Sequence, residues 1–205
     1  MSATQPNHTS SNVQERLISA AFDLFMHHDY NKVTTRQLAE TANTSLSSIN
    51  YYFGDKQTLY NEMVRQQFSN IESALKSSFT ENGGINFELL MMSYHEAHQK
   101  NPHFPAFFTR ILAFKDGPGY LLLANILDHK RELLGKMIAS SQRHQGMRDD
   151  VDLDVLRIIM MSLSVFPYLI RDVIHTGEQT DADDALMANI AHCAGELLGS
   201  CLYKN

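Results

Sequence analysis

Apolar residues recur along nearly the whole chain at helical spacing. Leu17, Ala21, Leu24, Phe25 and His28 fall at i, i+4, i+7, i+8 and i+11, one face of a helix of about four turns. Residues 1–11 before it hold Ser, Thr, Asn, Gln and Pro with almost nothing apolar and read as a frayed tail. Asp29-Tyr30-Asn31-Lys32 ends the first helix. Thr34-Thr35-Arg36-Gln37 then reads as a capping box, with the Thr34 hydroxyl on the third residue's amide and Gln37 reaching back. Leu38, Ala39 and Ala42 form the buried side of the short helix so started. Ser45 is placed to N-cap a second short helix through Tyr52, and Gly54 breaks it. Asp55 can cap a long helix with Leu59, Met63, Phe68, Ile71 and Leu75 inward. Asn82-Gly83-Gly84 is the clearest domain-scale break.

Five further helical stretches follow, at roughly 86–100, 105–114, 119–145, 152–176 and 181–202. Pro102 and Pro105, Gly117-Pro118-Gly119, Gly146 to Asp150, and Gly177 punctuate them. Thr180-Asp181-Ala182-Asp183 is a second capping signature. No strand-type alternation bounded by hairpin dipeptides appears, so the fold is expected to be all-α. The expected organisation is a tail over 1–11, a small helical domain over 12–56 and a larger one over 57–205.

Composition narrows the function. A chain of 205 residues with 43% apolar and 20% charged residues is globular, and its formal charge of −6 argues against a general polyanion binder. Residues 1–66 carry five basic and six acidic side chains, so any nucleic-acid contact must come from a few well-placed groups. Cys193 and Cys201 lie about 12 Å apart along one helix and cannot form a disulfide framework. No signal-peptide pattern opens the chain, and the apolar run Ile158–Ile170 is interrupted and short for a bilayer. A cytoplasmic location without membrane association is therefore expected. Nucleophile elbows, phosphate loops, dinucleotide fingerprints and Cys-x-x-Cys pairs are absent, so neither catalysis nor a cofactor is expected. His95-Glu96-Ala97-His98 puts two imidazoles on one helix face, but with no third ligand in view it does not argue for a metal.

Two short helices joined by a tight turn and preceded by a longer one describe a helix-turn-helix. One helix lies in the B-DNA major groove and offers side chains to base edges, while its partner crosses the backbone. Ala39, Ala42, Ile49 and Phe53, packed on Leu17, Phe22 and Phe25, would form the core facing away from DNA.

The stretch Leu17–Leu59, LISAAFDLFMHHDYNKVTTRQLAETANTSLSSINYYFGDKQTL, resembles the DNA-binding domain of the TetR family of transcriptional regulators. The likeness rests on Ala-Ala-x-x-Leu-Phe in the first helix, Thr-x-x-x-Leu-Ala in the second and Tyr-Phe-x-x-Lys at the close. It implies a base contact from Arg36 and a phosphate contact from Thr35. Ser45, Leu46, Ser47, Ser48 and Asn50 correspond to the start and reading positions of the recognition helix, and Tyr51 and Tyr52 to an aromatic pair gripping phosphate. Lys56 resembles a lysine that neutralises a backbone phosphate at a helix N-terminus. The chain departs from the family with Asn43 where Gly is usual, and with Asn50 where Tyr is usual. For Arg36 the competing reading is a surface ion pair with Glu40.

A single helix-turn-helix makes few contacts, so a homodimer reading a palindromic operator in double-stranded DNA is expected. The resemblance places the interface on the last two helices. Leu186, Ile190, Ala194, Leu197, Leu198 and Cys201 line one, with Gly195 and Gly199 allowing close approach. Val155, Ile158, Ile159, Leu163, Phe166 and Ile170 line the other. The Met- and Phe-rich centre suits an adaptable pocket for a small organic effector. Its candidate lining is Met91, Tyr94, His95, His98, Phe107, Phe108, Arg110, Met160 and Phe166, with Arg110 hinting at an anionic group. The expected function is a ligand-responsive regulator, most often a repressor in this family, in which the effector swings the 56–79 helix. The competing readings are a helical small-molecule-binding or metal-dependent protein with a vestigial DNA-binding fold, and a non-specific architectural protein, which the charge disfavours.

Overall fold

A computed structural model describes residues 8–174 and 181–204. Among them nine α-helices follow in order: α1 (His8–His27), α2 (Thr35–Thr41), α3 (Leu46–Phe53), α4 (Lys56–Ser77), α5 (Phe87–Lys100), α6 (Phe104–Ala113), α7 (Tyr120–His144), α8 (Leu153–Ile174) and α9 (Asp181–Leu202). A 3-10 turn, Tyr30–Lys32, separates the first two. Extended pairing among the described residues amounts to the isolated bridges Phe79–Ile85 and Met147–Tyr203. The all-α expectation holds. Helix α1 starts at His8, inside the stretch read as a tail, and the capping signature at Thr180 lies outside the described residues.

Two compact units form. One joins the residues up to Gln67 with Thr109–Leu123, and the other joins Phe68–Phe108 with the residues from Ala124 onward. The Asn82–Gly84 turn lies within the second unit. Its backbone curls back on Thr80, whose amide donates to the Gly84 carbonyl at 2.8 Å, so it makes a tight turn between α4 and α5.

In the first unit α1, α2 and α3 pack on one another around Leu17, Ala21, Phe25, Leu38, Ala39, Ala42 and Ile49, all buried. The capping box forms as read: the Gln37 amide donates to the Thr34 hydroxyl at 3.2 Å, and the Thr34 amide donates to Gln37 Oε1 at 2.8 Å. Asn43 takes the turn's left-handed position at φ 48°, a conformation Asn reaches more easily than other residues with a side chain. Asp55 caps α4 by accepting from the Thr58 amide at 2.7 Å. Phe25, Tyr30 and Tyr60 stack edge and face at 4.9–5.6 Å.

In the second unit α5 and α9 make the closest pairing, because Gly195 leaves room for it. A Cβ there would come within 2.4 Å of Glu88 Cα. Gly195 thus serves a close approach of α9 to α5 within the chain, where the sequence reading had it serve a subunit interface. The core gathers Leu90, Met91, Leu134, Met137, Met147, Leu156, Met160 and Leu198. Helix α8 runs through Pro167 without ending. Leu153–Arg171 of α8 and Asp183–Leu202 of α9 are each long and apolar enough to cross a membrane by length and composition alone, a test that core helices also meet.

Candidate nucleic-acid interface and regulatory cavity

Helix α3 is anchored by Ile49 and Phe53, both buried, while its other face is open. Leu46 is 53% and Tyr51 81% exposed, with Ser47 and Asn50 also on the surface and Ser48 and Tyr52 half-buried. Tyr51 and Tyr52 meet edge to face at 4.9 Å, so each ring holds the other's orientation. The start of the helix differs from the sequence reading. The Ser45 side chain caps no amide; its hydroxyl sits 2.8 Å from that of Ser47 and 2.9 Å from that of Ser48, and Thr44 donates to Ser48 at 2.9 Å. The Ser48 amide donates to the Ser45 carbonyl at 3.0 Å, so the main chain and not the Ser45 side chain takes up that donor.

On α2, Thr35 is half-buried and Arg36 projects outward, its side chain 85% exposed. Arg36 Nε donates to Glu40 Oε1 at 2.8 Å, the surface ion pair weighed above, and the carboxylate raises the guanidinium's pKa. An exposed pair of this kind is worth under about 1 kcal/mol, so a phosphate or a guanine edge can take the arginine from it.

Lys56 takes another role. Its ammonium donates to the carbonyls of Tyr30 and Val33 at 3.0 and 2.9 Å and lies 3.9 Å from the centre of the Tyr30 ring. Partial burial lowers its pKa. The lysine read as a phosphate contact therefore staples the loop before α2 to the start of α4. The signal was present in sequence: Tyr30 and Val33 flank a chain reversal whose carbonyls need a donor.

The second unit holds a cavity, partly open to solvent, walled by α4, α5, α6, α7 and α8. Tyr94, His98, Phe108 and Met160 of the sequence-read set line it. The others lie elsewhere. Met91 and His95 border a smaller void beside Tyr168, Phe107 is buried, and Phe166 is 56% exposed on α8. Arg110 belongs to the first unit, where it donates to the carbonyls of Phe25 and Met26 at the end of α1; those late-helix carbonyls lack an intrahelical partner, and the arginine supplies one. Phe68, Phe104 and Met161 complete the apolar wall, and Lys130 and Arg157 are the charged lining that sequence reading missed. A lysine between Leu127 and Leu134 on one helix face was the available hint.

His95 and His98 are both tied to Tyr168. His95 Nδ1 lies 2.5 Å from the Tyr168 hydroxyl, and the His98 ring packs 4.7 Å from the Tyr168 ring and stacks on Phe104. His98 is hydrogen-bonded to the Ser164 backbone, and its Nδ1 is buried without a partner. Burial lowers its pKa to about 4, so the imidazole is neutral at physiological pH. Among the described residues no three His, Cys, Asp or Glu side chains gather as for a metal.

A short helix anchored by its apolar side, with polar and aromatic groups outward and a second short helix across a tight turn, defines a helix-turn-helix DNA-binding protein. Residues 17–63 match the family described as bacterial regulatory proteins, tetR family. The HTH-type transcriptional repressor AcnR of Corynebacterium diphtheriae is 28% identical over 149 residues, covering 70% of this chain and 72% of that protein. The fold is shared with the fatty acid degradation regulator FadR from Bacillus halodurans, with a TM-score of 0.68 at 14% identity over 95% of this chain and 97% of that one. It is also shared with a TetR-family transcriptional regulator (HI0893) from Haemophilus influenzae, with a TM-score of 0.65 at 18% identity over 92% of this chain and 98% of that one. The family match over residues 17–63, the repressor relative and the shared fold together support a DNA-binding transcriptional regulator of the TetR family.

Proposed function

We propose that this regulator is a cytoplasmic, homodimeric repressor that holds a palindromic operator until a small organic effector enters the cavity of the second unit. The observation that carries the reading is the open face of α3, where Leu46, Ser47, Asn50 and Tyr51 stand exposed on a helix whose far side is locked by Ile49 and Phe53. Asn50 suits an adenine edge, Leu46 a thymine methyl and Tyr51 a phosphate. Dimerisation is supported by the outer faces of the last two helices. Val155, Ile158, Ile159 and Phe166 of α8 and Leu197 of α9 are each between 43% and 61% exposed, a concentration of apolar surface that a two-fold partner would cover. Helix α4 supports the coupling, since it gives Phe68, Ile71 and Leu75 to the cavity wall and Lys56 to the loop before α2.

Binding to the DNA flanking its own gene, followed by nuclease footprinting, tests the proposal. A footprint of two half-sites about 34–36 Å apart is expected. Arg36→Ala and Tyr51→Phe should each weaken specific binding by about 1–3 kcal/mol. Wild-type affinity in both variants, or a monomer by light scattering on DNA, would overturn it.

A further inference from the structure

Resting on the reading of the cavity as the effector site, we propose that its ligand is an amphiphilic carboxylate, an apolar body with one anionic head, and that Lys130 and Arg157 receive the head. Apart from His98 and Ser164, the rest of the wall is aliphatic and aromatic, and none of the described lining residues is acidic.

Both cations hold only the weaker share of a carboxylate already engaged elsewhere. Lys130 Nζ lies 3.4 Å from Glu72 Oε2, while Lys76 holds Glu72 Oε1 at 2.6 Å. Arg157 lies 3.2 Å from Asp154 Oδ1, while Arg131 grips the same carboxylate with two donors at 2.8 and 3.1 Å. Each carboxylate thus keeps a closer partner if its cavity-side cation turns to a ligand. The two cations are also poorly solvated, with side-chain exposures of 12% for Lys130 and 24% for Arg157. A buried charge without a full partner is unfavourable, so a bound anion is stabilised beyond what the same contact gives in water.

Both cations line this one cavity, Lys130 from α7 and Arg157 from α8. Lys130 is next in the chain to Arg131, and Arg131 and Arg157 meet at Asp154. From Arg157 the α8 wall continues through Met160 and Met161 to Ser164, about 10 Å along the helix at 1.5 Å per residue. Phe104 and Phe108 of α6 and Phe68 of α4 face that same space. An anionic head held by these cations therefore lies beside an apolar wall that suits an extended or ring-bearing body.

Titration calorimetry on the full-length protein tests this with decanoate against decanol, and phenylbutyrate against phenylbutanol. At least one acid is expected to bind about tenfold or more tightly than its alcohol. Lys130→Met, which keeps the apolar stem, and Arg157→Gln should each erase most of that preference and leave alcohol binding unchanged. Phe108→Trp, which fills the space, should weaken acid and alcohol alike. Equal affinity for acid and alcohol, an acid preference that survives both charge variants, or binding of none of the four probes overturns the assignment. Operator release by a neutral ligand that Phe108→Trp blocks would keep the effector cavity while removing the carboxylate. Tight ligand binding untouched by Phe108→Trp would remove both.

Discussion

Replacing His98 by Phe should flatten the acid side of the protein's stability curve. In the folded chain burial lowers the imidazole to about 4, against 6.5 for a free histidine. Between those values the unfolded chain binds a proton that the folded chain refuses. Stability therefore falls as pH drops through 6.5 towards 4, and the group is without effect at higher pH. At about 1.4 kcal/mol per pH unit for one proton, the loss is about 2 kcal/mol between pH 7 and pH 5 and about 3 kcal/mol by pH 4. Phe keeps a planar ring for the stack on Phe104 and the contact with Tyr168, and it cannot titrate. His95 and the surface carboxylates titrate in both proteins, so the difference between the two curves isolates His98. Urea unfolding followed by far-ultraviolet circular dichroism, at half-unit steps from pH 7.5 to 4.5, gives that difference directly. If the two curves run parallel to within about 0.5 kcal/mol, the imidazole is not held neutral by burial and the reasoning fails.

Lys56→Met should lower stability by about 2 kcal/mol in thermal or denaturant unfolding, since it leaves the Tyr30 and Val33 carbonyls without their charged donor. Gly195→Ala should cost about 1–3 kcal/mol, because its methyl would meet the backbone of α5 at Glu88. Asn43→Gly should keep both stability and operator affinity, whereas Asn43→Val should cost about 1–2 kcal/mol at its left-handed φ of 48°, read by melting temperature. Phe166→Glu together with Leu197→Glu should yield monomers in sedimentation and lose the paired footprint, if the exposed faces of α8 and α9 are the subunit contact.

The helices were legible because each is amphipathic and each boundary carries its own chemistry. Thr34 with Gln37, Asn43, Gly54 and Asp55 act over three or four residues, and such local devices can be read without knowing the rest of the fold. The open face of α3 was legible for the same reason, since Ile49 and Phe53 fix which side is inward. The cavity was only half legible. Tyr94, His98, Phe108 and Met160 do line it, but which of many apolar side chains meet across five helices depends on crossing geometry that periodicity does not carry. Long cations defeat the pattern in a further way. Arg110, Lys56, Lys130 and Arg157 each sit on a helix with a polar face, and a long stem carries each charged tip away from its own Cα. The first two reach backbone carbonyls, and the last two reach a hollow.

The chain passes between its two units three times, after Gln67, Phe108 and Leu123, and every passage falls inside a helix: α4, α6 and α7. There is no hinge peptide at these points for a protease to cut or an engineer to splice. A fragment ended at the close of the helix-turn-helix would lack Thr109–Leu123, and with it the Arg110 bonds to the end of α1 and the close fit of Gly119 against Tyr60. Transplanting this DNA-reading head onto another sensor therefore means carrying a distant fifteen-residue stretch along with it.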